Sequence, residues 1–198
     1  MQHIFWVIQD QLAGRCGPDR QPWKLAELRS AGFSAVLSVN DGVLCHPEDF
    51  DQLGMAYACI ALPPHVPPQS GDADHCMNAL PCAYSFVLQQ LTQGHRVLVH
   101  CSSGKDRTGL FLAYFLMRAF DLPVKVAINK VLEVRPTAYT AEGWLDFTLE
   151  VLEAAGPNPS FTSDPACIVP LSHTLSQLLD SSALPSPSAQ VRPVGLIH

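Results

Sequence analysis

The stretch that decides the fold spans residues 97–120 and reads VLVHCSSGKDRTGLFLAYFLMRAF. It begins with an apolar run, passes through a short polar loop that contains glycine, and continues as an apolar segment of helical length. This order predicts a buried strand at residues 96–99, a tight loop, and a buried helix at residues 108–120. Such a loop directs successive backbone N–H groups toward one point and places the positive end of the helix dipole behind them. The stretch therefore predicts an anion-binding site between strand and helix.

Cys101 begins this loop, where the bound anion is expected. The loop N–H groups, the helix dipole and the guanidinium of Arg107 all favour the thiolate, which is the nucleophilic form of cysteine. The alternative is a structural cysteine at the end of a buried strand. The pattern His100-Cys101, five residues, then Arg107-Thr108-Gly109 favours the nucleophile.

Other phosphate and metal motifs fail on spacing. A Walker loop requires glycine five positions before Gly104 and Ser or Thr after Lys105, and the chain has Val99 and Asp106 there. No Cys-x-x-Cys or His-x-x-x-His pair supplies the spacing of metal ligands. We therefore expect neither a metal site nor a cofactor.

The cysteine, the five-residue spacing and the Arg-Thr-Gly that follows resemble the signature of the cysteine-dependent protein tyrosine and dual-specificity phosphatases. The resemblance implies that Cys101 attacks phosphorus, that Arg107 holds phosphate oxygens, and that Thr108 donates its hydroxyl to the departing sulfur. The alternative role for Thr108 is to cap the helix N-terminus. The phosphate-binding residues implied in this way are Ser102, Ser103, Gly104, Lys105, Asp106 and Arg107.

The general acid departs from the family pattern. These phosphatases usually carry an Asp in the loop after the preceding strand, often as Ile-Pro-Asp, whereas this chain has Leu-Pro-Pro at residues 62–64, so Pro64 stands where the Asp is expected. Asp106 is the first candidate in its place, because the pair Lys105-Asp106 resembles the loops of lipid-active tyrosine phosphatases. The alternative for Asp106 is a surface carboxylate paired with Lys105 or the helix dipole. The other candidate acids are Asp72, Asp74 and His65.

The expected substrate is a phosphoprotein or phosphopeptide. Phosphotyrosine is favoured because its phenol leaving group needs less protonation by a general acid than the alkoxide of phosphoserine does. Lys105 keeps phosphoinositides and inositol phosphates as an alternative, since lipid phosphatases of the phosphatase-and-tensin type carry a Lys at the matching place. Two further readings are a phosphate-binding pseudophosphatase without the usual acid and a sulfur transferase of the rhodanese type. Arg135-Pro136 resembles a segment that follows the next helix in dual-specificity phosphatases.

Periodicity and turn residues predict the other elements. The predicted strands lie at residues 4–8, 12–14, 35–39 and 56–62, and the predicted helices at residues 22–32, 47–53, 75–91, 124–134 and 140–154. Strands 4–8 and 12–14 should form an edge hairpin. The alternation predicts an α/β, phosphotyrosine-phosphatase-like fold: a mostly parallel central sheet flanked by helices on both faces, with ligands at the C-terminal strand ends. Asn40 and Asp41 follow a strand and should border the site.

Length and composition predict one domain and a tail. With 198 residues, 47% of them hydrophobic, the chain can bury a core, which we expect at residues 1–155. Residues 156–198 are rich in proline and serine and are expected to be partly disordered or packed on the domain, with helical leucine spacing at residues 171–179.

The composition also limits the partners and the cellular location that we expect. A net charge of −6, with only 12 Lys and Arg, argues against a nucleic-acid partner. Seven cysteines without regular spacing indicate a reducing compartment, so we expect a cytoplasmic protein. Residues 1–8 lack the basic start and cleavage site of a signal peptide, and the longest apolar stretch, near residues 110–117, is too short for a transmembrane segment.

Overall fold

A five-stranded sheet forms the centre of the protein in the computed structural model, which describes residues 3–156. The strands are β1 (Phe5–Ile8), β2 (Leu12–Cys16), β3 (Phe33–Ser38), β4 (Ala56–Cys59) and β5 (Arg96–Cys101), and they lie in the order β1-β2-β5-β3-β4. β1 pairs antiparallel with β2, and every other neighbouring pair is parallel. The sheet is therefore mostly parallel with a hairpin at one edge, as predicted, and β5 occupies its middle.

Helices cover both faces of this sheet. They are α1 (Leu25–Ser30), α2 (Pro47–Gln52), α3 (Asp72–Thr92), α4 (Asp106–Phe120), α5 (Val124–Val134) and α6 (Trp144–Ala155). The larger core lies between the sheet and α3 to α6, and the smaller core joins α1 and α2 to the other face. α4 is the most enclosed, since ten successive residues from Thr108 to Met117 are buried. A helix that is buried all round suits the uninterrupted apolar sequence of this segment.

The alternation of side chains along β5 fixes the two sides of the site. Val97, Val99 and Cys101 face the larger core, whereas Leu98 belongs to the smaller one. Since successive residues of a strand point to opposite faces, His100 and Cys101 lie on opposite sides of the sheet.

The largest error in the predicted elements concerns α6, which begins at Trp144 and not at residue 140. Two residues before it have left-handed backbones, Tyr139 with φ of 59° and Gly143 with φ of 76°, and these interrupt helical geometry. α4 begins two residues earlier than predicted, at Asp106, and α3 begins three residues earlier, at Asp72. Because α4 starts at Asp106, the residue before Arg107 is already part of the helix.

The predicted tail at residues 156–198 lies outside the described residues except for Gly156, so the domain boundary and the leucine pattern at residues 171–179 stay predictions. Within residues 3–156, no helix has the length and apolar character needed to cross a membrane.

Candidate active site

Cys101 is the last residue of β5, and only 2% of its surface is exposed. The four residues from Ser102 to Lys105, here called the cysteine loop, follow it, and α4 begins directly afterwards. The backbone N–H groups in the first turn of a helix have no acceptor within the helix, so they are available to a ligand. The thiol therefore lies between the central strand and the positive end of a buried helix.

Gly104 determines the shape of the cysteine loop. Its φ of +60° lies in the left-handed region, which residues with a side chain rarely adopt. A Cβ at this position would lie 2.4 Å from the carbonyl oxygen of Arg15 and 2.5 Å from the amide nitrogen of Cys16. Both are backbone atoms at the end of β2, so the loop packs directly on the neighbouring strand and leaves room for glycine alone.

Arg135, which follows α5, holds the cysteine loop through its carbonyl groups. Its Nε donates to the oxygen of Gly104 at 3.1 Å, and its Nη2 donates to the oxygen of Ser103 at 3.2 Å. In a planar trans peptide the C=O and the following N–H point in opposite directions. The N–H groups of Gly104 and Lys105 are therefore turned away from Arg135, as a loop that binds an anion through its amides requires.

His100 supports the loop from the opposite face of the sheet. Its Nδ1 lies 3.3 Å from the carbonyl oxygen of Cys101, and its Nε2 lies 2.6 Å from Oγ of Ser38. Because a carbonyl only accepts, Nδ1 carries the proton and Nε2 accepts from the serine hydroxyl. The ring packs against Trp23, and burial lowers the pKa of His100 to about 4. A neutral imidazole here links β5 to β3.

Residues 17–20 fix the first residue of the cysteine loop. The N–H of Gly17 donates to the carbonyl oxygen of Ser102 at 2.8 Å, and the hydroxyl of Ser102 donates to the Asp19 carboxylate. The side chain and the carbonyl of Ser102 are thus bound to the protein, and its N–H is the group that would contact an anion. Asp19 also lines a cavity of about 290 Å³ beside the loop, together with Asn40, Asp41 and His100. Asn40 and Asp41 therefore lie beside Asp19 and His100, two residues that support the loop, and their place at the border of the site itself stays a prediction.

The remaining motif residues occupy the start of α4. Lys105 is the N-cap residue, and Lys105, Asp106 and Arg107 are half-buried. Oδ1 of Asp106 accepts a hydrogen bond of 3.2 Å from the N–H of Ala141. Thr108 is fully buried inside the first turn, and its Oγ1 has no hydrogen-bond partner within residues 3–156. The alternative that Thr108 caps the helix was wrong, because the helix begins two residues before it.

A tight turn at residues 141–144, here called the junction turn, connects the start of α4 to a second loop. The N–H of Trp144 donates to the oxygen of Ala141 at 3.1 Å and closes the turn. Ala141 binds the start of α4, as described above. Trp144 Nε1 donates to the carbonyl oxygen of His65 at 3.0 Å. His65 belongs to the proline loop, residues 60–71, which connects β4 to α3. The proline loop and the start of α4 are therefore held by the two ends of the same turn.

Of the three candidate acids other than Asp106, the structure pairs His65 with Asp72 and leaves Asp74 exposed. Nδ1 of His65 lies 2.9 and 3.1 Å from the two carboxylate oxygens of Asp72, and Oδ2 also accepts the N–H of Gln69 at 2.8 Å. The Asp72 side chain is 7% exposed, whereas that of His65 is 42% exposed. Asp74 is exposed on the first turn of α3. The pairing across seven residues of a proline-rich loop was not predicted.

Three supporting residues were not assigned a role from the sequence: Asp19, Ser38 and Arg135. Each contacts the loop or His100 from a distant part of the chain, and local periodicity contains no signal for such contacts. Arg135 alone carried a hint, because the Arg135-Pro136 pair resembles a segment of dual-specificity phosphatases.

Comparison with known proteins agrees with this geometry. The family model described as the catalytic domain of dual specificity phosphatases matches residues 24–150. Human dual specificity protein phosphatase 12 is 29% identical over 138 residues, which cover 65% of this chain and 36% of that protein. The chain thus spans about a third of the length of the curated relative that it matches.

Solved structures share the fold. The active form of Tk-PTP superposes with a TM-score of 0.62 at 21% identity, covering 78% of this chain and 96% of that one. PTPMT1 in complex with PI(5)P superposes with a TM-score of 0.60 at 15% identity, covering 75% of this chain and 94% of that one. At these identities the likeness concerns the fold alone. Together with the match over residues 24–150, it shows that the chain belongs to the dual specificity phosphatase family.

Proposed function

We propose that this chain hydrolyses phosphate monoesters through a phosphocysteine intermediate on Cys101, with phosphotyrosine of proteins or peptides as the preferred substrate. One observation carries the proposal: the thiol ends the central strand, directly before a loop whose carbonyls are turned toward Arg135 and a helix whose N-terminus faces the same place. Family membership supports it.

In the first step the Cys101 thiolate attacks phosphorus, the S–P bond forms, and the bond to the leaving oxygen breaks. Arg107 holds two phosphate oxygens through its planar fork, and the loop N–H groups hold the charge as it redistributes. The leaving oxygen takes up a proton from a general acid. Asp106 is one candidate for this acid, since it immediately precedes Arg107, and the pair of His65 and Asp72 is another.

In the second step water attacks phosphorus, the S–P bond breaks, and the sulfur leaves as a thiolate. We assign the stabilisation of that thiolate to the hydroxyl of Thr108, which lies buried in the first turn of α4 without a competing hydrogen bond among the described residues. Hydrolysis then regenerates the nucleophile. The cycle is covalent catalysis in two steps.

A phosphoinositide or inositol phosphate is the second candidate substrate. The half-buried Lys105 at the N-cap of α4 adds a cation beside the phosphate loop, which would attract a second phosphate group. PTPMT1, which shares the fold, has been crystallised with PI(5)P. The substrate panel described next separates the two candidates.

Phosphate release is measured for a phosphotyrosine peptide, its phosphoserine and phosphothreonine counterparts, and a short-chain PI(5)P. We expect the fastest turnover on phosphotyrosine and none for Cys101→Ser, while Cys82→Ser, which changes an exposed cysteine on α3, behaves as the wild type. Acid quenching during turnover should leave one phosphoryl group on the peptide that contains Cys101. Binding of the phosphotyrosine peptide without phosphate release would contradict the proposal and identify a pseudophosphatase, and faster turnover of PI(5)P would contradict the assigned substrate.

We also propose a cytoplasmic location. The six described cysteines are all free, and three of them are buried. Free thiols are typical of reducing compartments. The prediction is tested by fractionating the cells that express the protein and following it with an antibody, and recovery from an oxidising compartment would contradict it.

A further inference from the structure

The second candidate acid in the proposed mechanism is an imidazole–carboxylate pair, His65 and Asp72. Asp72 is buried at the first position of α3, and its carboxylate accepts both the Nδ1 proton of His65 and the N–H of Gln69. A carboxylate that fixes one ring nitrogen sets the tautomer and the orientation of the imidazole, and it stabilises the ring when the other nitrogen is protonated. The arrangement of the two side chains is therefore one that suits proton transfer.

Exposure distinguishes His65 from the supporting histidine of this fold. His100 is 1% exposed, and both of its ring nitrogens are occupied by protein groups. The His65 side chain is 42% exposed, and its ring contacts within residues 3–156 engage Nδ1 alone. Nε2 is thus left to exchange a proton with a ligand or with solvent, which a purely structural imidazole has no need to do.

The location of His65 follows from two sets of contacts. The proline loop leaves the C-terminal end of β4, and Cys101 lies at the C-terminal end of β5, so both lie at the same edge of the parallel sheet. The carbonyl of His65 is bonded to Trp144, at one end of the junction turn, while the other end is bonded to Asp106. The ends of such a turn are less than about 7 Å apart. His65 is therefore linked to Asp106, the residue that precedes Arg107, through the Trp144 indole and the backbone of one turn.

The proline loop also packs tightly on this turn. A Cβ at Gly143 would lie 3.1 Å from Cδ of Pro68 and 3.4 Å from Cβ of Pro67. These contacts, with the hydrogen bond from Trp144, fix the loop in place at the edge of the site. A fixed loop is needed because a general acid has to lie within hydrogen-bond reach of the atom that it protonates.

Asp106 is differently placed. Its Oδ1 accepts the N–H of Ala141 and thereby ties the junction turn to α4. That bond gives the carboxylate a positioning role between the two loops. Pro64, in the position where family members usually carry the acid, has no proton to give.

We propose that His65 is the general acid of this enzyme and that Asp72 positions it. The inference rests on the proposed function. In the first step Nε2–H gives its proton to the leaving oxygen as the O–P bond breaks, which leaves the neutral imidazole bonded to Asp72. In the second step Nε2 takes a proton from the attacking water as the new O–P bond forms and the S–P bond breaks. The proton balance closes over one turnover.

The test compares esters whose leaving groups differ in their need for a proton: para-nitrophenyl phosphate, which needs little, and phenyl phosphate, which needs more. General acid catalysis contributes roughly 100-fold or more where the leaving group is poor. We expect His65→Gln to lower kcat/KM on phenyl phosphate by about 100-fold and kcat/KM on para-nitrophenyl phosphate by less than about threefold. This ratio reports the steps up to departure of the leaving group, so it is not affected by the hydrolysis of phosphocysteine that both esters share. Asp72→Asn should show the same selectivity with a smaller loss and an unchanged KM.

His46→Gln, which changes an exposed histidine at the start of α2, is the matched control and should match the wild type on both esters. Equal losses on the two esters in His65→Gln would overturn the assignment, and so would a leaving-group-dependent loss in Asp106→Asn with none in His65→Gln. Failure of the proposed function looks different: the wild type would turn over neither ester, or Cys101→Ser would remain active.

Discussion

Low pH should destabilise the folded state of this protein through His100, whose imidazole supports the cysteine loop. Burial lowers the pKa of His100 from 6.5 to about 4. As the pH falls from 6.5 toward 4, the unfolded chain therefore takes up a proton at this residue while the folded chain does not. Protons then draw the equilibrium toward the unfolded state. The stability that the neutral ring contributes is present above about pH 6.5 and is lost progressively down to about pH 4.

The size of the effect follows from the size of the pKa difference. A difference of one pKa unit corresponds to about 1.4 kcal/mol, so the full effect below pH 4 is about 3 kcal/mol. Between pH 7 and pH 5, where the unfolded residue is mostly protonated and the folded one is not, the expected loss is about 2 kcal/mol. That is a large part of the stability of an ordinary domain.

Urea unfolding at pH 7 and pH 5 measures this loss. His100→Gln removes the titrating ring, so its free energy of unfolding should fall by about 2 kcal/mol less than that of the wild type over this interval. His46→Gln, which changes an exposed histidine, should retain the pH dependence of the wild type. Equal pH dependence in the wild type and His100→Gln would refute the reasoning. An NMR titration of the wild type gives a second measurement, and the ring signal of His100 should stay constant between pH 8 and pH 5.5.

Two further predictions concern the backbone of the cysteine loop. Gly104→Ala places a Cβ 2.4 Å from the carbonyl oxygen of Arg15 at a left-handed φ, so the loop has to shift. We expect kcat/KM on para-nitrophenyl phosphate to fall by about 100-fold. Full activity of this variant would contradict the account of the loop. Arg135→Met removes two charge-assisted hydrogen bonds to loop carbonyls. We expect thermal unfolding to show that the free energy of unfolding falls by about 2 kcal/mol, and we expect a raised KM for phosphate esters. The control Arg118→Met, on the last turn of α4, should leave KM unchanged.

The sequence predicted the strand, loop and helix around Cys101 because that information is local. An apolar run, a glycine-containing loop and a second apolar segment occur in order over residues 97–120, and the structure places β5, the cysteine loop and α4 there. The edge hairpin and the mostly parallel sheet were predicted for the same reason, from alternating patterns of short range. Helix ends were less accurate. Tyr139 adopts a left-handed backbone without being glycine, so its residue type gave no signal. Gly143, directly before α6, was a signal that the prediction did not use.

The supports of the site could not be predicted because they join residues that are far apart in the chain. Arg135 reaches Ser103 and Gly104 across about thirty residues, and Ser38 reaches His100 across 62. The His65–Asp72 pair spans only seven residues, but it depends on the path of a loop rich in proline, for which periodicity has no information. Sequence patterns thus indicated which residues carry the chemistry, and the tertiary structure was needed to learn what holds them.

The junction turn has a consequence for how relatives of this protein diverge and how chimeras should be built. Trp144 binds the proline loop through its indole, and Gly143 packs against Pro67 and Pro68, so residues 60–72 and 139–144 form one structural unit. Transferring residues 60–72 alone into a homologue would introduce His65 without Trp144, the residue that binds its backbone carbonyl. A graft that carries both segments should arrive with its geometry intact.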